Sequence, residues 1–413
     1  MNSSLDPLSL CFFAPLHLLQ PPYFFHKCSP FLFTVRNPTL ISRVNSSVMA
    51  LKSNGPLRLV LARPDRIGDV VITSSCLEPI RRALPDAEIH FVAQSRMEPL
   101  FSGHPAISSF ITVPTHKDTI WRQERLADRL RSLKADCIVH LHSDPEVEWA
   151  AAAADIPRRI GFRENGDKWL TESLPDLKKS GEKHEGFYNF DLLHLLDVPP
   201  PAKLKPRLTP DSEAFDSLTE KLPDGISLGR YAVLHVGAHG KKPRIAAEFF
   251  IAVARWLVKE RHLYVVLLGA PEDIDMMEVI CAGSGSASAW MLKLSGQTDL
   301  AEAAFLLRDA AIVFGRDSGP AHIAAAMGAS TVSLMLDSEA TNSSRRWAPL
   351  GERSWVLDKP LERGWFESKI DFGRRNLEQY TLDEIIDSLD YALKMVGAVP
   401  AESTVEASAA RLS

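Results

Sequence analysis

Cysteine is scarce in this 413-residue chain. Cys11, Cys28, Cys76, Cys137 and Cys281 are scattered, with no Cys-x-x-Cys pair. The sequence therefore predicts neither a disulfide framework nor a cysteine zinc site, and the pattern suits a reducing compartment. Basic residues are not in excess either: 47 Lys and Arg stand against 52 Asp and Glu, a net charge of −5, which argues against nucleic acid as the main partner. No apolar run is long enough to cross a bilayer. Four motifs are missing as well. The chain has no G-x-G-x-x-G for dinucleotides, no G-x-x-x-x-G-K-[ST] phosphate loop, no G-x-S-x-G and no H-E-x-x-H. What remains is an ordinary globular composition, 45% hydrophobic and 24% charged, in a chain long enough for two cores.

Residues 1 to 55 differ from everything after them. They are rich in Ser, Pro, Phe and Leu, and Asp6 is their only acid. Pro15, Pro21 and Pro22 break the apolar stretches that a secretory signal would need. Two readings are left. The segment is an acid-poor, organellar transit peptide, or it lies outside the natural product and Met49 is the start. On either reading it is expected to be disordered and outside the fold.

From Leu57 onward, strands alternate with helices, which predicts an α/β fold with parallel sheets covered on both faces. Strand candidates are Leu57–Ala62, Ala87–Ala93, Phe110–Val113, Cys137–Leu141 and Arg159–Phe162. Helices are expected at Val70–Ala83, Ile120–Lys134 and Pro145–Ala154. Five prolines between Pro199 and Pro210 then read as an extended linker. A second alternation follows, with strands at Tyr231–Val236, Leu263–Leu268, Leu292–Ser295, Ala310–Phe314 and Thr331–Met335. Its helices are expected at Ala246–Lys259, near Ile274, and at Leu300–Asp309. A last helix is expected at Leu382–Val396, ending at Gly397. The predicted domains are 56–198 and 229–380, with a linker and leading segment at 199–228, the C-terminal helix at 381–397 and a disordered tail at 398–413. Each half begins with a strand and a polar, Gly-containing loop. In doubly wound sheets such loops lie at the carboxyl ends of the strands, where ligands bind.

Three loops carry candidate chemistry. In Arg63-Pro-Asp-Arg-Ile-Gly-Asp69, Asp69 stands at a helix start, where the dipole favours an ionised carboxylate suited to a general base. The same Asp also reads as an ordinary first-turn acid. Gly237-Ala-His-Gly-Lys-Lys-Pro-Arg244 sets Lys241, Lys242 and Arg244 beside two glycines, an arrangement suited to a pyrophosphate and equally to a solvated basic loop. Gly315-Arg-Asp-Ser-Gly-Pro-Ala-His322 follows an apolar strand and opens an Ala-rich helix. Asp317 or Ser318 can cap it, Pro320 suits its first turn, and its free N–H groups would attract phosphate. A plain αβ connection reads the same. Asp273-Ile-Asp275 has the spacing of a metal-binding pair but sits where acids cap a helix. His140 and His142 share a strand face without a third ligand nearby. No metal site is expected.

The first loop, continued to Ser74, and the distant stretch Gly315–His322 together resemble the ADP-heptose:lipopolysaccharide heptosyltransferases of glycosyltransferase family nine. The similarity runs from about Leu57 to Val396. It implies a GT-B architecture, with two Rossmann-like domains facing across a cleft and a C-terminal helix. It also implies inverting, metal-independent transfer from a nucleotide sugar, ADP-heptose, to a lipopolysaccharide core or related glycan, with no cofactor. By the resemblance Asp69 is the catalytic base. Asp317, Ser318, Gly319 and His322 hold the donor, Lys242 meets its phosphates and Glu272 its sugar. Arg63, Arg66, Lys241 and Arg244 are further acceptor or phosphate candidates, and Arg81, Arg82 and Arg96 candidates for attracting an anionic glycolipid. The chain departs from the family at Leu336–Thr341, at Ile245-Ala246, and in lacking a late cysteine pair, all on the donor side. The expected location is cytoplasmic, with at most peripheral contact at the inner membrane face, or organellar if the N-terminal segment is a transit peptide. Two other functions stay open: a nucleotide-sugar epimerase of the same fold, and a relative that binds a glycan or partner without turnover.

Overall fold

The computed structural model describes residues 25–27, 55–114, 119–163, 168–223, 226–238, 243–336, 340–359, 375 and 377–397. Its thirteen strands are β1 (Phe25–Lys27), β2 (Arg58–Ala62), β3 (Glu88–Gln94), β4 (Ser109–Val113), β5 (Cys137–His140), β6 (Arg158–Arg163), β7 (Glu172–Pro175), β8 (Tyr231–His235), β9 (Tyr264–Gly269), β10 (Met291–Ser295), β11 (Ile312–Arg316), β12 (Thr331–Met335) and β13 (Ser354–Asp358).

They form two sheets. The first has the order β4-β3-β2-β5-β6-β7, the second β1-β13-β12-β11-β8-β9-β10. Counted from its own first long strand, each sheet reads 3-2-1-4-5-6, the dinucleotide-fold order. All pairings are parallel except β1 with β13. The duplication sensed in the sequence is therefore topological. In each half the strand order reverses between the first strand and the fourth, beside β2 and β5 in one sheet and beside β8 and β11 in the other. The loops after β2 and after β11 both open there.

The layers follow from period-two alternation. Leu59 and Leu61 face a shared core that also contains Tyr231, Val233 and Ile323 of the second half. Val60 and Ala62 face the opposite side, against Leu126, Leu130, Val147 and Ala150 of the helices Thr119–Leu133 and Pro145–Ala153. In the second sheet Ala232 and Leu234 face outward onto Phe250, Leu257, Ile385 and Leu389. One apolar layer thus lies between the two sheets, and it brings their switch points together.

Several elements differ from expectation. The helix expected at Val70–Ala83 starts earlier and is interrupted: Ile67–Thr73 and Leu77–Ala83 flank a tight turn, Ser74–Cys76. Ser74 and Ser75 each donate back to a carbonyl three residues earlier, the local competition that loosens a helix. The helices Glu185–Leu193 and Glu213–Lys221 and the strands β7 and β13 had no clear periodic signal. Phe25–Lys27, in a segment expected to lie outside the fold, forms an edge strand. The expected tail at 398–413 lies outside the described residues.

Candidate active site

The loop after β2 is built around Arg63, only 1% exposed. Its Nε donates to Asp65 (2.9 Å), and its Nη1 to the Leu141 carbonyl (2.9 Å) and Asn189 Oδ1 (3.2 Å). Its Nη2 donates to Asp69 Oδ1 and to Glu185 Oε1 (3.1 Å). Arg63 was expected as an acceptor or phosphate contact. The structure corrects this: its donors are spent inside the protein, and three carboxylates surround its fork. Burial alone would favour its neutral form, but Asp65, Asp69 and Glu185 together hold its pKa above the ordinary value.

Asp69 lies in the first turn of the helix Ile67–Thr73 and is 7% exposed. Burial raises its pKa, and although Arg63 opposes this, Asp65 and Glu185 add to the rise. One guanidinium is shared among three carboxylates, too little to offset that burial. Glu185 behaves oppositely. Burial would raise it too, but Arg63, Lys178 and Arg346 bring it down to about 2. Two neighbouring carboxylates thus have their pKa values pushed apart, the pattern that separates a proton acceptor from a permanent anion.

The loop after β11 is different in kind. Ser318 is the N-cap residue of the helix Gly319–Ala326, yet its side chain does not cap that helix. The Ser318 hydroxyl lies 3.2 Å from His235 Nδ1 at the end of β8 instead. Burial pushes the His235 pKa down to about 4, so its ring is neutral at pH 7. Asp317 Oδ1 lies 3.3 Å from His322 Nε2. His322 is buried, and its other ring nitrogen, Nδ1, has no partner. The result is a helix start whose N-cap side chain is turned away, flanked by two imidazoles.

The two loops meet. A Cβ on Gly68 would lie 2.8 Å from His322 Cδ2, and a Cβ on Gly319 would lie 2.8 Å from Ile67 Cβ. Glycine at both positions lets the helices Ile67–Thr73 and Gly319–Ala326 pack start to start across the domains, placing Asp69 and Asp317–His322 on opposite walls of one site.

The remaining candidates are placed unevenly. Lys241 and Lys242 lie outside the described residues. Arg244 donates to Asp273 Oδ1 (2.8 Å) and the Ala238 carbonyl (3.1 Å). Glu272 is exposed on the turn Pro271–Asp273, whereas its neighbour Asp273 is buried and accepts from Ala270 N (2.9 Å). Asp273 therefore fastens the loop, and it is the acid of this turn that faces inward. Arg66 is exposed beside the site. Arg81 is spent on three carbonyls, of Pro85, Ala87 and Ala106. Arg82 pairs with Glu78, and Arg96 donates to Gln94. His140 is buried and His142 lies 3.4 Å from Asp65.

Sequence reasoning missed Glu185, Arg346 and His235. A single acid opening an apolar helix looks like any first-turn acid. His235 ends a strand whose neighbours are apolar. Only the tertiary arrangement distinguishes these residues.

Two dinucleotide-type sheets with facing switch points, and a split polar site between them, define the GT-B architecture of glycosyltransferases and related enzymes. The chain matches Glycosyltransferase family 9 (heptosyltransferase) over residues 123–363, more than half its length, and it belongs to that family. It is 24% identical over 292 residues to lipopolysaccharide heptosyltransferase 2 of Salmonella typhimurium, covering 67% of this chain and 82% of that one. It is 23% identical over 312 residues to lipooligosaccharide heptosyltransferase 2 of Haemophilus influenzae, covering 73% and 88%. Among solved structures, ADP-heptose LPS heptosyltransferase II of E. coli superposes with a TM-score of 0.69 at 21% identity, over 83% of this chain and all of that one. A family 9 glycosyl transferase from Veillonella parvula gives the same TM-score at 19% identity, over 83% and 98%.

Proposed function

We propose that the protein transfers a heptose, or a related sugar, from an ADP-sugar to a lipopolysaccharide core or related glycan, with inversion and without a metal. The observation that carries the reading is the start-to-start packing of the two helices, which sets a buried carboxylate of raised pKa against an uncapped helix start. Asp69 takes the proton from an acceptor hydroxyl as that oxygen forms its bond to the anomeric carbon. The bond to the diphosphate breaks, and its electron pair leaves on the phosphate oxygen. Inversion needs one in-line displacement and so a single base. The growing negative charge is met by the N–H groups at Ser318 and Gly319, by His322, and by Lys242 from the preceding loop. Glu272 or its inward-facing neighbour Asp273 is the acid for the sugar. The heptosyltransferase names of the relatives support ADP-heptose as the first donor to test.

The experiment is transfer from ADP-heptose to a lipopolysaccharide inner-core acceptor, with ADP release and the anomeric configuration of the product both measured. Product of inverted configuration is expected, in the presence of chelator as in its absence. Sugar isomerised without transfer would establish an epimerase, and donor binding with neither reaction a binding protein.

A further inference from the structure

The carboxylate of Glu185 is shared between the domains. Its Oε1 accepts from Arg63 Nη2 at 3.1 Å, and the same Nη2 holds Asp69. Its Oε2 accepts from Arg346 Nε at 3.0 Å and Nη2 at 2.8 Å. Arg346 belongs to the second domain, on the short helix Ser344–Trp347, and its Nη1 is anchored on the Thr341 carbonyl (3.1 Å). One residue earlier, His184 Nε2 lies 2.9 Å from the Ala348 carbonyl. His184 Nδ1 accepts from Gly186 N, so Nε2 carries the hydrogen and donates across the interface. The segment 184–185 is thus gripped by the segment 346–348 of the other domain.

The charge count gives this contact a consequence. The buried cluster contains three carboxylates, Asp65, Asp69 and Glu185, and two cations of its own domain, Arg63 and Lys178. Arg346 is the third cation, and only with it is the cluster neutral. His142, the remaining titratable group beside Asp65, is held toward its neutral form by burial and by Arg63 and Lys178. His322 lies against Gly68, Asp144 acts on His142, and Asp176 acts on Lys178, whose pKa burial lowers. Without Arg346 the cluster carries one uncompensated buried negative charge, which is relieved most readily by protonating a carboxylate. Glu185 would then also compete more strongly for the Arg63 fork.

We propose that Glu185 is a positioning residue that makes Asp69 a competent base only when Arg346 of the second domain is seated on it. The proposal rests on the reading of Asp69 as the base. Glu185 does not touch substrate; it reports the seating of the second domain through Arg63.

The test has two readouts. One is the pH profile of turnover with ADP-heptose and an inner-core acceptor. The other, independent of substrate, is the titration of the Asp69 carboxyl carbon followed by NMR. Arg346→Gln should move the acidic limb and the Asp69 titration upward by about one pH unit, and Arg346→Lys should restore most of the shift. Glu185→Gln should move both downward, and the double variant should follow Glu185→Gln, because Arg346 acts only through it. The proposal is overturned if Arg346→Gln lowers turnover equally at every pH and leaves the Asp69 titration in place, or if the two substitutions simply add. If Glu185→Gln does not fold, Arg346→Gln and Arg346→Lys decide alone, since Arg346 lies at the rim with its side chain 13% exposed. Asp69→Asn separates the two levels. Turnover surviving in that variant sinks the assignment of the base. Turnover lost there, with an unmoved Arg346→Gln titration, sinks the coupling and leaves the base intact.

Discussion

The loops after β2 and β11 sit in facing domains of identical strand order, yet they are made of opposite materials. The first is crowded with charge: Arg63 is buried among Asp65, Asp69 and Glu185, and its donors are used. The second has glycine, a serine turned away from its own helix, and a buried histidine with one ring nitrogen unpartnered. The same scaffold thus supports two electrostatic tasks. A cluster of buried charges can hold a carboxyl near the point of accepting a proton. A helix start can receive an anion on its backbone N–H groups, with Asp317 of the same loop already paired to His322.

The strongest way to break this contrast is Asp69→Asn. If the proton is handled on the first wall, turnover should fall by about 10²–10⁴-fold while donor nucleotide still stabilises the protein thermally. The raised pKa means that ionised Asp69 costs folding stability at neutral pH, so the melting temperature should hold or rise. Next in size is Gly68→Ala, which tests whether the walls must touch. Its Cβ would press on the buried His322 ring, with an overpacking cost of about 1–3 kcal/mol and turnover lowered along with stability. A variant of unchanged melting temperature and rate would show that the helix starts are not tightly seated.

His322→Ala addresses the second wall alone. Donor KM should rise by about tenfold, one lost hydrogen bond to an anion, with the pH profile unmoved. A shift in the acidic limb would mean that the two walls are not separate in function. Smaller still is the acid stability held by Glu185. Its folded pKa of about 2 lies below the ordinary 4.5, so its contribution is fully present above 4.5 and is lost as pH falls toward 2. Wild-type acid unfolding should therefore be steeper through that window than that of Glu185→Gln. The smallest effect belongs to Arg82→Ala. Its exposed pair with Glu78 is worth under about 0.5 kcal/mol, and acceptor KM should not change if the arginines of this helix serve only the surface.

The architecture was legible because strands such as Tyr231–His235 and Thr331–Met335 are short apolar runs between polar loops, and each loop at a switch point carries its own signature. Asp69 and Asp317–His322 could be picked out because glycines stand next to them in a helix-start context. Their meeting could not. It depends on Gly68 and Gly319 having nothing where a Cβ would be, which matters only once the opposing helix is in place. Glu185 and Arg346, 161 residues apart, form their bond across the two domains, and neither has a local pattern to mark it. The turn Pro271–Asp273 teaches the same lesson on a smaller scale: Glu272 and Asp273 are both acids, and backbone geometry alone decides which one faces inward.

The proline-rich connection between the halves is fastened where it passes from one domain to the other. Thr209 N and Asp211 N donate to Leu100 and Pro99 carbonyls of the first domain. Immediately after, the helix Glu213–Lys221 is pinned to the second domain through Ser217 and Lys221 on Glu302. Little slack is left between the two anchors, so the domains are presented to each other at high effective concentration. Under such tethering the Glu185–Arg346 contact need not join two free proteins; it adds to the apolar layer that already lies between the sheets.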